Sequence, residues 1–66
     1  MTLWVNGERV EVNGLATVAE LATHYGLQPS SVLIEHNATA LYQREWTERK
    51  IAEGDRIEFV RVVAGG

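Results

Sequence analysis

The sequence predicts an α+β fold: a two-layer roll in which one helix packs on one face of a mixed sheet of four to five strands. Three observations carry this. Only one segment, from Val18 to Tyr25, repeats apolar residues at helical spacing. Short segments rich in Val, Ile and aromatic residues, bounded by turn residues, lie on both sides of it. The chain has 66 residues, enough for one domain, so helix and strands must share a single core.

Taken in order, Leu3 to Val5 and Arg9 to Val12 read as strands joined at Asn6-Gly7. Asn-Gly is the strongest short hairpin signal, because both residues tolerate positive φ. Trp4 reads as apolar filling of this sheet, and Asn13-Gly14 makes the next turn. Thr17-Val18-Ala19-Glu20 is a capping box, in which the Thr17 hydroxyl and the Glu20 carboxylate each accept the other residue's backbone N–H. Val18, Leu21, Ala22 and Tyr25 then form one apolar stripe over about two turns. Gly26 suits the position after the helix, and Pro29 opposes continuation. A helix this short needs a sheet beneath it.

Val32 to His36 reads as a strand ended by Asn37, and Leu41-Tyr42 as a minimal further strand. Gln43 to Lys50 is polar around Trp46 and reads as a loop or helical turn, its indole a lid over the edge of the core. Glu53-Gly54-Asp55 is a tight turn that needs no other role, and Arg56 to Val62 is a long final strand. Residues 64–66, Ala-Gly-Gly, carry nothing larger than a methyl and are expected to form a flexible projecting tail. The whole of 1–66 is then one domain.

Composition narrows the function. Net charge is −3, from nine acidic and six basic side chains, and the basic residues are scattered among acids, so no nucleic-acid partner is expected. Glu45 and Glu48 read with Arg49-Lys50 as a solvated face. Absence of cysteine removes disulfides, thiol nucleophiles and Cys-rich zinc sites. The first residues lack a basic and apolar leader pattern, and no apolar stretch approaches the roughly 18–20 residues of a membrane span. A cytoplasmic protein without a membrane partner is expected, and Asn37-Ala38-Thr39 is read as an accidental glycosylation sequon. His24 and His36 are too few for a metal site and read as surface or half-buried. A catalytic pocket of about 300–1,000 Å³ would consume much of so small a core, so the chain is not expected to be an enzyme.

The remaining candidate for chemistry is the Gly65-Gly66 end. Two glycines could be an incidental frayed terminus. The alternative is a working group: a glycine α-carboxylate is the least hindered a protein can offer, and a pKa near about 3.5 keeps it ionised at neutral pH. As a glycine, Gly65 can take backbone angles closed to other residues, and with Ala64 it would let the tail thread a narrow channel.

The run Val32-Leu33-Ile34-Glu35-His36-Asn37, then Arg44-Glu45-Trp46, Gly54-Asp55-Arg56-Ile57-Glu58 and Val62-Val63-Ala64-Gly65-Gly66 resembles the ThiS family, the sulfur carriers of thiamin biosynthesis. The resemblance spans nearly the whole chain. One departure is Gln43, which stands three residues before Trp46 where the family usually has Arg, with Arg44 one place later. The resemblance implies the β-grasp, ubiquitin-like fold. It implies that an adenylating, E1-like partner of the ThiF type activates the Gly66 carboxylate. A sulfur-donor enzyme then converts it to a thiocarboxylate, which supplies sulfur to thiazole synthase. ATP and magnesium would belong to the partner, because the chain has no phosphate-cradling glycine loop and is expected to bind no cofactor. A molybdopterin-synthase-type carrier, a ubiquitin-like modifier, and a β-grasp binding module with an incidental end stay open as alternatives.

Docking is expected to involve more than the tail. Along the last strand Ile57 and Phe59 fall on one side and Glu58, Val60 and Val62 on the other. If Ile57 and Phe59 face the helix, Val60 and Val62 are apolar residues on the open face of the sheet. Leu33 joins them if Val32 and Ile34 point inward, and apolar clusters of this kind mark partner surfaces.

Overall fold

The N-terminal hairpin forms at the Asn-Gly turn. In the computed structural model, which describes residues 1–62, β1 (Thr2–Val5) and β2 (Glu8–Glu11) pair antiparallel with Leu3 opposite Val10. Asn6 and Gly7 have φ of 51° and 81°, the double positive φ whose twist matches that of the strands. The expected tail, residues 64–66, lies outside the described residues.

Helix α1 (Val18–His24) starts where the capping box requires. The Glu20 N–H donates to Thr17 Oγ1 at 3.2 Å, and Glu20 Oε1 accepts the N–H groups of Thr17 and Ala16. The next two free donors of the helix find partners in a distant loop: Val18 N–H donates to the Arg49 carbonyl and Ala19 N–H to that of Trp46. The N-terminal orphan groups of the helix thereby fasten the 46–49 segment to it. Gly26, at φ 69°, turns the chain out of the helix. Val18, Leu21 and Ala22 are buried, whereas Tyr25, the last member of the predicted stripe, is 40% exposed and lies edge-on to Phe59.

A 3₁₀ turn at Pro29–Ser31 leads into β3 (Val32–His36), which pairs antiparallel with β4 (Thr39–Leu41). The expected minimal strand at Leu41-Tyr42 therefore begins earlier. The reason is a second two-residue hairpin turn, with Asn37 and Ala38 both at positive φ (49° and 69°), so pairing resumes at Thr39 opposite His36. Another 3₁₀ turn, Gln43–Glu45, precedes Trp46. The final strand, β5 (Arg56–Arg61), runs antiparallel to β3 and parallel to β1.

The sheet order is β2-β1-β5-β3-β4, with α1 on one face: the β-grasp arrangement. Leu3, Val5, Val32, Ile34, Leu41 and Ile57 meet Val18, Leu21 and Ala22 of the helix, with Val12, Trp46 and Ile51 completing the core. Trp46, only 4% exposed, is thus a core residue rather than a lid over its edge. Trp4 corrects the expectation in the other direction. Leu3 and Val5 point inward, so the pleat turns Trp4 to the open face, where it is 41% exposed.

Candidate functional site

Alternation along β5 sets the open face. Ile57 is fully buried and Phe59 partly so, leaving Glu58 and Val60 outward. On β3, Val32 and Ile34 are buried and Leu33 is outward. Register then brings together residues 27 apart in sequence, because Leu33 is the direct cross-strand partner of Val60. Leu33 is 57% exposed, Val60 47% and Val62 49%. The Val62 N–H donates to the Ser31 carbonyl at 2.9 Å, so pairing with the β3 side persists to Val62 and keeps it one pleat beyond Val60. All three residues expected to dock are solvent-facing and adjacent. Ala64, Gly65 and Gly66, which were expected to carry the chemistry and the access, lie outside the described residues.

The base of this face is held by a polar cluster that the sequence did not suggest. His36 is buried at 7% exposure, not a surface or half-buried residue. Its Nε2 lies 2.7 Å from Asp55 Oδ2, and its Nδ1 is 3.0 Å from Arg49 Nε. Because the guanidinium can only donate, Nδ1 must accept, so the Nε2–H donates to Asp55. Asp55 also accepts from the Ala52 N–H and the Asn37 amide. Burial pushes its carboxyl pKa up, but the hydrogen bonds from His36, Asn37 and Ala52 outweigh that and hold it below the ordinary value of 3.8. Asn37 Oδ1 in turn accepts the Arg56 N–H. The turn at Asp55 thus ties the far end of β3 to the start of β5 and sets the register that pairs Leu33 with Val60. A lone His and an Asp nineteen residues later gave no local signal of this.

Arg44, displaced by one place from the family's usual arginine, lies with its guanidinium carbon 4.6 Å from the Tyr42 ring centroid. Glu45 caps the 3₁₀ turn by accepting the Tyr42 N–H.

The sequence model of the ThiS family matches residues 3–66. The chain belongs to the ThiS family. Its fold agrees with that of a solved member: the crystal structure of thiamine biosynthesis protein ThiS from Geobacter metallireducens superposes with a TM-score of 0.85 at 30% identity, covering all of both chains. The solution structure of a thiamine biosynthesis protein from the same organism gives a TM-score of 0.81 at 30% identity, covering all of this chain and 88% of that one. A protein of Trieres chinensis described as uncharacterized protein ycf40 is 25% identical over 65 residues, 98% of this chain and 89% of its own length. As a ThiS-family β-grasp domain, this chain carries its exposed apolar residues beside the strand that leads to Gly65-Gly66.

Proposed function

We propose that the chain is a sulfur carrier of thiamin biosynthesis and that the Gly66 carboxylate is its working group. The observation that carries this reading is the match to the ThiS family, which runs through to Gly66. In the proposed chemistry a carboxylate oxygen of Gly66 attacks the α-phosphorus of ATP in an adenylating partner of the ThiF type. Pyrophosphate leaves and an acyl-adenylate forms. Sulfide (HS⁻), released by a donor enzyme, attacks the acyl carbon, the bond from that carbon to the AMP oxygen breaks, AMP leaves, and a thiocarboxylate remains for thiazole synthase to consume. ATP and magnesium belong to the partner in this scheme. The carrier contributes an unhindered terminus and a surface that positions it: Leu33, Val60 and Val62. Removing their apolar area from water is favourable by roughly 25 cal/mol per Å².

Intact mass tests the reading. After incubation with the adenylating enzyme, ATP, magnesium and a sulfur source, the protein is expected to gain the difference between one oxygen and one sulfur. An unchanged mass, with an enzyme that loads another ThiS chain in the same tube, would overturn it.

A further inference from the structure

The chain has three asparagines, Asn6, Asn13 and Asn37, and the first two precede glycine. In sequence the pairs Asn6-Gly7 and Asn13-Gly14 look alike; the fold treats them differently. Asn6 is fastened to β5 twice. Its N–H donates to the Ile57 carbonyl at 2.9 Å, and its Oδ1 accepts the Phe59 N–H at 2.8 Å. Asn37 is held in the same way, its backbone on the Arg56 carbonyl and its side chain on the Arg56 N–H and Asp55. Both stand at positive φ, 51° and 49°, inside two-residue turns. Asn13 has none of this. It is exposed, and among the described residues its side chain finds no hydrogen-bond partner. Val12 bonds Met1 through both backbone groups, and Ala16 bonds Glu20 and Ile51. Between them, residues 13–15 make no backbone hydrogen bond among the described residues. A Cβ placed on Gly14 would meet nothing within 4 Å, so the Asn13-Gly14 peptide is uncrowded.

We infer that Asn13 is a site of covalent self-modification, converting to aspartate and isoaspartate. The Gly14 nitrogen, giving its proton to solvent base, attacks Cγ of Asn13. The Cγ–Nδ2 bond breaks, ammonia leaves, and a cyclic succinimide remains. Water then opens the ring. Addition at Cγ breaks the new Cγ–N bond and gives aspartate. Addition at the main-chain carbonyl carbon of residue 13 breaks the original peptide bond and gives isoaspartate, with the chain now running through Cγ. Either product carries a carboxylate in place of the amide, one charge unit below the −3 of the unmodified chain. Water is the only co-reactant. The attack requires Asn13 to rotate until its Cγ lies over the Gly14 nitrogen. No hydrogen bond at 13–15 resists that rotation, and glycine has no side chain to block it. At Asn6 the same rotation breaks the bond to Phe59 and leaves the left-handed conformation that the hairpin turn needs, so it proceeds only from a locally opened state. The isoaspartyl product also adds a main-chain carbon between Val12, in the core, and the capping box at Thr17.

Ageing the full chain in mildly alkaline buffer, folded and in guanidinium chloride, tests this. Cleavage after glutamate places the three asparagines in separate peptides, 1–8, 12–20 and 36–45. Each is read for the mass of an amide NH₂ replaced by OH, and isoaspartate is counted with an isoaspartyl methyltransferase. In the folded chain peptide 12–20 is expected to convert about tenfold faster than 1–8, because of the hydrogen bonds that Asn6 must break. In denaturant the two should agree within about twofold, since unfolding removes the clasp on Asn6. Equal rates in the folded chain would overturn the inference. A tenfold difference that survives in denaturant would do so too, because neighbouring residues rather than the fold would then set it. Asn13→Gln, whose extra methylene disfavours ring closure, should leave peptide 12–20 unconverted over the same period; a persisting mass gain there would place the reaction at another residue.

Discussion

Ala38 sits at φ 69°, a region that costs a residue with a Cβ roughly 1–2 kcal/mol. It is held there because the two-residue turn between β3 and β4 needs positive φ at both positions. Ala38→Gly removes that strain at some expense in unfolded-chain entropy, and a net gain of about 0.5–1 kcal/mol is expected, read as a higher denaturant midpoint. Asp55 makes the opposite kind of contribution. Its folded-state pKa lies below the ordinary 3.8, so the unfolded chain binds the proton more readily. The stability it supplies is complete above that value and is lost as pH falls through the lower, folded one. Asp55→Asn is expected to cost about 1–3 kcal/mol near pH 6. The gap from wild type should narrow in urea titrations as pH falls below the ordinary 3.8. A constant gap would mean that the carboxylate charge is irrelevant to the cluster.

At the scale of the element, α1 spans only seven residues, too few to persist without tertiary contacts. Its N-terminus is secured twice, by the Thr17 capping box and by the carbonyls of Trp46 and Arg49. Thr17→Ala removes only the first, and a loss of about 1 kcal/mol is expected from thermal unfolding. The two fastenings differed in legibility. The capping box lies within four consecutive residues and is legible directly. The carbonyls of Trp46 and Arg49 come from a loop whose approach depends on burial of the Trp46 indole, and its sequence does not specify where that ring goes. The two hairpins repeat the lesson: Asn6-Gly7 announces a two-residue turn, while Asn37-Ala38 signals a turn only at Asn37 and hides its length, because alanine is disfavoured in the conformation it adopts.

Across the whole molecule, stability and proposed chemistry occupy separate stretches of chain. The core runs from Leu3 to Ile57, and the last described backbone bond is that of Val62 to Ser31. Deleting Gly66 is therefore expected to leave the unfolding free energy within about 0.5 kcal/mol of wild type, as for a change away from the core, while abolishing the gain of sulfur mass. Retained loading would identify a different acceptor.

Local signals in the sequence were enough for the element order, the caps and turns with local signatures, the lack of cysteine chemistry, and the place of Gly65-Gly66 in a family-like pattern. These rest on interactions a few residues long, which composition and spacing report directly. That β5 lies between β1 and β3 emerges only from the folded chain. From that followed the exposure of Trp4, the clasp of His36 by Asp55 and Arg49, and the alignment of Leu33 with Val60 and of Glu35 with Glu58. Pairing between distant strands is chosen by which side chains can be buried together, and that choice belongs to the folded chain as a whole.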